Sequence, residues 1–114
     1  MDFQFTPKQR EIYELAGALA REKFAPRAAK YDALATSPVE NMQDFRDNGL
    51  LKLTISEDLG GMGSGAMGRD PVLYLLAIEQ TARVDMSTAQ CLHVHSHGSH
   101  LIDHVGTQEQ REHF

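Results

Sequence analysis

The sequence predicts an all-α protein, a bundle of about five helices packed up-down or orthogonally. Two observations predict this class. Helix-start signatures recur along the 114 residues, and each precedes apolar residues at helical spacing. The composition, with 41% apolar and 24% charged residues, is typical of a globular chain with its own core. We therefore expect one helical domain over residues 1–114.

Five segments carry a helix-start signature. In four of them a hydroxyl residue is followed three positions later by Gln or Glu, which is the pattern of a capping box. These four begin at Thr6, Ser37, Ser87 and Thr107. Asp70-Pro71 is the fifth start, because Asp caps helices well and Pro favours the first helical position.

The first two helices are predicted from these starts and from their apolar spacing. The first begins at Pro7 and carries one apolar stripe, and Pro26 should kink or end it because proline lacks the amide donor. A shorter turn can then resume toward Asp32. The second helix runs from Pro38 to about Asn48 and ends at Gly49, which tolerates a left-handed cap.

The middle of the chain reads as a connection. Residues 50–55 are too short and too apolar for an exposed helix, so we expect an extended or single-turn segment held in the core. Residues 57–69 contain five glycines and should form a loop. A phosphate-binding loop is conceivable, but no strong strand precedes it and no Lys-Ser/Thr follows, which favours a plain connection.

Three further helices complete the prediction. The third runs from Pro71 to about Val84, the fourth from Thr88 to Val105 before Gly106, and a fifth begins at Thr107. This last helix would be only two turns long at Phe114, and so short a helix is marginal without tertiary support. We therefore expect a domain truncated within its last helices.

Charge and cysteine content exclude several classes of partner. The net charge is −5, and no basic run is present that would neutralise nucleic-acid phosphates. No stretch approaches the roughly 18 apolar residues of a membrane span, and the N-terminus lacks a signal-sequence pattern. We expect a cytoplasmic protein without nucleic-acid partners. The single cysteine, Cys91, should be a small buried residue.

The fourth predicted helix carries five of the six histidines. At 100° per residue, His93, His97, His100 and His104 share one face, and His95 departs from it. We call these four residues the histidine stripe. Pairs at i and i+4 can bind a metal ion, but no third ligand is evident, and we assign no metal ligands. A polar wall of a ligand cavity and a solvated helix face are the other interpretations, and both stay open.

Five motifs in collinear order resemble the start of the acyl-CoA dehydrogenase family. The strongest is residues 48–63, NGLLKLTISEDLGGMG, which is similar to the family segment GLLGLTIPEEYGGLG. The others are residues 24–32 (FAPRAAKYD), residues 79–87 (EQTARVDMS), His95-Ser96, and residues 106–114 (GTQEQREHF). The resemblance covers essentially the whole chain and implies the N-terminal helical domain of that family.

The resemblance also implies a function for a longer parent protein. A β domain and a C-terminal helical domain, both absent here, would follow and bind FAD. Members oxidise the α,β C–C bond of acyl-CoA thioesters with a glutamate base that would lie beyond Phe114. We therefore assign no catalytic or cofactor-binding residue, expect no cofactor on this segment, and expect it to be inactive alone. The parent is expected to be a homo-oligomer.

Within the segment, the resemblance implies that the helix from Thr88 to Val105 borders the acyl cavity. The candidate pocket residues are His93, His97, His95, Ser96 and His100. A histidine-rich wall also suits a related branch of the fold, the monooxygenases that use reduced flavin such as FMN on other small molecules. A stand-alone helical binding module is the third possibility.

Overall fold

The computed structural model describes residues 2–64 and 70–114, and all regular structure in these ranges is helical. The predicted all-α fold is confirmed. The end of the predicted glycine loop, residues 65–69, lies outside the described residues. The helices are α1 (Pro7–Leu19), a π-helical turn (Ala20–Phe24), α2 (Ala25–Leu34), α3 (Val39–Asp47), α4 (Pro71–Ala82), α5 (Met86–Val105) and α6 (Gln108–His113), with single 3₁₀ turns at Leu50–Lys52 and Glu57–Leu59.

The junction of α1 and α2 shows how the chain accommodates Pro26. Pro26 lacks an N–H, and its ring would crowd the carbonyl four residues earlier. The preceding turn widens, so that the Ala25 N–H bonds to the Ala20 carbonyl, five residues back. The predicted break therefore takes the form of a π turn, after which α2 continues as a regular helix.

Two of the four predicted capping boxes are present. The side chains of Thr6 and Thr107 accept from the backbone N–H three residues on, and the glutamine at that position reaches back in both cases. Asp70 also caps α4 as predicted, by accepting from the Val72 N–H.

The boxes predicted at Ser37 and Ser87 are wrong. Helix α3 begins one residue later than predicted, with Pro38 at its N-cap and no side-chain cap, so Ser37 precedes the capping position. Helix α5 begins at Met86, because Asp85 caps it by accepting from the Ser87 N–H. A carboxylate at this position accepts from the first backbone N–H groups of the helix, and its negative charge interacts favourably with the positive end of the helix dipole.

The core lies between α1, α4 and α5, with α3 closing one end. Phe24 from the π turn and Phe45 from α3 are both fully buried, and their rings meet edge to face with centroids 4.9 Å apart. Leu92 of α5 packs into the same cluster. Cys91, expected to be buried, is only partly buried.

Residues 50–64 fold back on themselves and lie against α5; we call them the strip. Gly49 adopts the predicted left-handed cap with φ of 75°, and a single 3₁₀ turn follows, in agreement with the single-turn prediction. The Met62 N–H donates a hydrogen bond to the Lys52 carbonyl at 3.0 Å, and the Ser64 N–H donates one to the Leu53 carbonyl at 2.8 Å. Gly61 is required at the return, since a Cβ there would lie 2.0 Å from the Ile55 carbonyl oxygen.

Candidate functional site

Helix α5 presents three different flanks. Thr88, Ala89, Leu92 and Ser96 form its buried flank. Val94, Leu101 and Val105 lie on an exposed apolar flank. The histidine stripe lies between the buried and the exposed sides, with His93 and His100 partly buried and His97 and His104 exposed.

His93 and His97 form a polar cluster with Tyr74 of α4. The Tyr74 hydroxyl is hydrogen-bonded to His93 Nδ1, and the two rings are stacked with centroids 6.1 Å apart. The His97 ring packs edge to face against the His93 ring, with the ring centroids 4.0 Å apart and the ring planes at 63°. Burial raises the pKa of the Tyr74 hydroxyl. We call Tyr74, His93 and His97 the Tyr74–His93 cluster.

Tyr74 was missed by reasoning from the sequence. It lies in the apolar run of α4, where it reads as a core aromatic residue. A buried phenol usually finds a partner for its hydroxyl, and this signal alone hinted at a polar contact. The partner itself lies 19 residues away on another helix.

His95 and the backbone of Ser96 fasten α5 to the strip. His95 Nε2 lies 3.2 Å from the Leu51 carbonyl oxygen, and the Thr54 hydroxyl donates to the Ser96 carbonyl at 3.5 Å. His95 therefore departs from the stripe, as the helical spacing predicts. Its contacts are those of a residue that positions the helix.

His100 and His104 border a separate polar recess of about 90 Å³. Its other lining residues are Thr54, Ser56, Gly63, Ser64 and Asp103. This volume is large enough to hold ordered water. The five pocket candidates from the sequence are thus divided among the Tyr74–His93 cluster, the strip contact and this recess.

Asp103 forms a partly buried network that ties the strip to both α5 and α6. Its carboxylate accepts from the Ser56 N–H at 2.6 Å and from the Ser56 hydroxyl at 2.5 Å. Arg111 of α6 donates to the other oxygen at 2.8 Å and also reaches Asp58 at 3.2 Å. Burial alone would raise the pKa of Asp103, but the bonds from Ser56 and Arg111 hold that pKa below its usual value.

A wider cleft of about 600 Å³ lies away from the histidines, between α2 and the start of α5. Ala28 and Ala29 form part of its floor, and Asp32 and Asp85 contribute two carboxyl groups. Among the described residues, no Lys or Arg lines it. An anionic ligand is therefore poorly suited to this cleft.

Among residues 2–64 and 70–114, no group of three or more His, Cys, Asp or Glu side chains is placed to hold a metal ion. No helix in the same ranges has both the length and the apolar character that crossing a membrane requires.

Comparison with known proteins identifies the family. Residues 6–114 match the family model described as acyl-CoA dehydrogenase, N-terminal domain. The chain is 29% identical to a short-chain-specific acyl-CoA dehydrogenase of Clostridium acetobutylicum, 31% to a mitochondrial isobutyryl-CoA dehydrogenase of Dictyostelium discoideum, and 29% to an acryloyl-CoA reductase (NADH) of Anaerotignum propionicum.

These alignments span 98%, 96% and 98% of the chain but only 28%, 25% and 27% of the three relatives. The chain thus spans little more than a quarter of the length of the relatives that it matches. The match to the family model covers every helix described above. The chain therefore belongs to the acyl-CoA dehydrogenase family and corresponds to its N-terminal domain.

Proposed function

We propose that this chain forms one wall of the substrate cavity in an FAD-dependent acyl-CoA dehydrogenase, with the face of α5 that bears His93 and His97 turned toward the acyl chain. The observation that carries the proposal is the Tyr74–His93 cluster. The rings of Tyr74 and His93 are partly exposed, yet a hydrogen bond between two helices holds them in place. Side chains fixed in this way suit a cavity wall, because a bound ligand does not have to order them.

The contacts on the other flanks support this orientation. Leu92 fixes the buried flank of α5 in the core, and the bonds of His95 and Thr54 fix the flank that meets the strip. Among the flanks of α5 that remain, the histidine stripe is the one that carries polar side chains. We assign His93 and His97 to the cavity wall, and His95 and Ser96 to its support. His100 lies further along the stripe, beside the polar recess.

The catalytic groups are proposed to lie in a longer polypeptide. In this family the flavin supplies the acceptor for the hydride that leaves the β carbon of the thioester. The cleft between α2 and α5 does not fit the pyrophosphate of FAD, because it carries Asp32 and Asp85 and no basic side chain among the described residues. We therefore propose that this cleft is not a flavin site and that the chain alone is inactive.

The names of the relatives support a CoA thioester as substrate. The three proteins compared above are named for acyl-CoA, isobutyryl-CoA and acryloyl-CoA. A reduced-flavin monooxygenase is the second candidate, favoured by one observation. The Tyr74–His93 cluster puts hydrogen-bonding groups where a plain hydrocarbon chain would need apolar ones.

Anaerobic flavin reduction distinguishes the two candidates. The full-length protein that contains this chain is purified with its flavin, and an acyl-CoA is added in the absence of oxygen. A dehydrogenase bleaches the absorbance of its oxidised flavin with the thioester and not with free CoA. The absence of bleaching with every acyl-CoA tested, together with oxygen consumption only after the flavin is reduced by another donor, would overturn the proposal in favour of a monooxygenase.

A further inference from the structure

In the Tyr74–His93 cluster, the acidity and basicity of the two groups decide which of them donates the hydrogen bond. A phenol O–H is a stronger acid than the N–H of a neutral imidazole, and an imidazole nitrogen is a stronger base than a phenol oxygen. The single proton of the phenol is then available to His93 Nδ1. With Nδ1 as the acceptor, the neutral imidazole carries its proton on Nε2.

The outer nitrogen of His93 is consequently a donor. No other described residue forms a hydrogen bond with His93 Nε2. The ring is partly exposed, and His97 flanks it edge-on with the centroids 4.0 Å apart. The cluster therefore offers an N–H group on the flank of α5 that the proposed function turns toward the substrate.

We infer that this N–H selects acyl chains carrying an acceptor oxygen, such as that of a ketone, on a carbon beyond the β position. The inference rests on the proposed function and deepens it by naming the substrate class. A hydrocarbon chain packed against the ring would take the donor out of water without a partner, which disfavours binding. A chain with an oxygen at the matching position supplies that partner. Sites built to hydrogen-bond a substrate discriminate strongly against analogues that lack the group.

The experiment measures kcat/KM of the full-length flavoprotein with matched pairs of substrates. Each pair consists of an acyl-CoA and its oxo derivative of the same chain length, with the ketone on successive carbons beyond the β carbon. We expect a preference of about tenfold or more for the oxo derivative at one ketone position. His93→Phe keeps a ring of similar shape but removes the donor, and should abolish this preference by lowering kcat/KM for the oxo derivative more than for the unsubstituted chain.

Three further variants separate recognition from folding. Tyr74→Phe removes the hydroxyl that fixes the tautomer, and should weaken the preference without abolishing it. His93→Gln retains an N–H donor, and should keep part of the preference even if His93→Phe fails to fold. His104→Phe is the matched control, since His104 lies on the same helix face outside the cluster, and it should keep the full preference.

The outcomes are distinct. Equal kcat/KM for both members of every pair, or equal losses on both members in His93→Phe, would overturn the inference and leave the proposed function intact. If no thioester of either kind bleaches the flavin, the proposed function itself fails and the inference fails with it.

Discussion

Replacing Phe24 with alanine lowers the free energy of unfolding by about 3–5 kcal/mol. The Phe24 side chain is fully buried at the end of the π turn, and its ring meets that of Phe45 at 4.9 Å. Truncation removes the buried apolar surface and leaves a cavity between α3 and the junction of α1 and α2. Urea denaturation of the chain followed by circular dichroism measures the loss.

Phe3→Ala is the matched control for this substitution. Phe3 is 81% exposed, so the same change should alter the free energy of unfolding by less than about 0.5 kcal/mol. If the two variants lost similar stability, Phe24 would not be part of the core described above.

Replacing Asp103 with alanine should lower the free energy of unfolding by about 2–4 kcal/mol at neutral pH. The side chain of Asp103 is only 7% exposed and accepts from both Ser56 and Arg111. Its loss leaves the Ser56 N–H and hydroxyl without their acceptor and removes one of the contacts between the strip and α5. Asp58→Ala is the control, because Asp58 pairs with the same Arg111 but is 62% exposed, and it should cost less than about 1 kcal/mol.

The free energy of unfolding lost in Asp103→Ala should also depend on pH. The folded state holds the pKa of Asp103 below its usual value, so the native state favours the charged form. This stabilisation is present above the ordinary pKa of aspartate and is lost as the pH falls through the folded pKa. The difference in stability between the wild type and Asp103→Ala should therefore shrink in acid. A difference that grows in acid would contradict the network.

The helices were predictable because their signals are local. The caps at Thr6, Asp70 and Thr107 depend on residues within one turn, and the sequence contains all of them. The predictions that Ser37 and Ser87 cap helices were wrong for a related reason. Neighbouring capping residues differ by small free energies, so a shift of one or two residues, as at Asp85, decides which of them caps.

The site was predictable only in part. The spacing of 100° per residue places His93 and His97 on one face, and their rings are adjacent in the structure. Their partner Tyr74 is not implied by any local pattern. The bond between Ser56 and Asp103 spans 47 positions, and its formation depends on the strip returning to α5. Contacts of this kind follow from tertiary packing, which a single sequence does not encode in its periodicity.

Photoaffinity labelling tests most directly whether α5 borders the acyl chain. The full-length protein is irradiated with an acyl-CoA analogue that carries a diazirine at the end of its acyl group, and the labelled peptides are identified by mass spectrometry. We predict label within Met86–Val105, concentrated around His93 and His97, and protection by excess unmodified acyl-CoA. Protectable label found only outside α5, for example on α2 beside the wider cleft, would contradict the account.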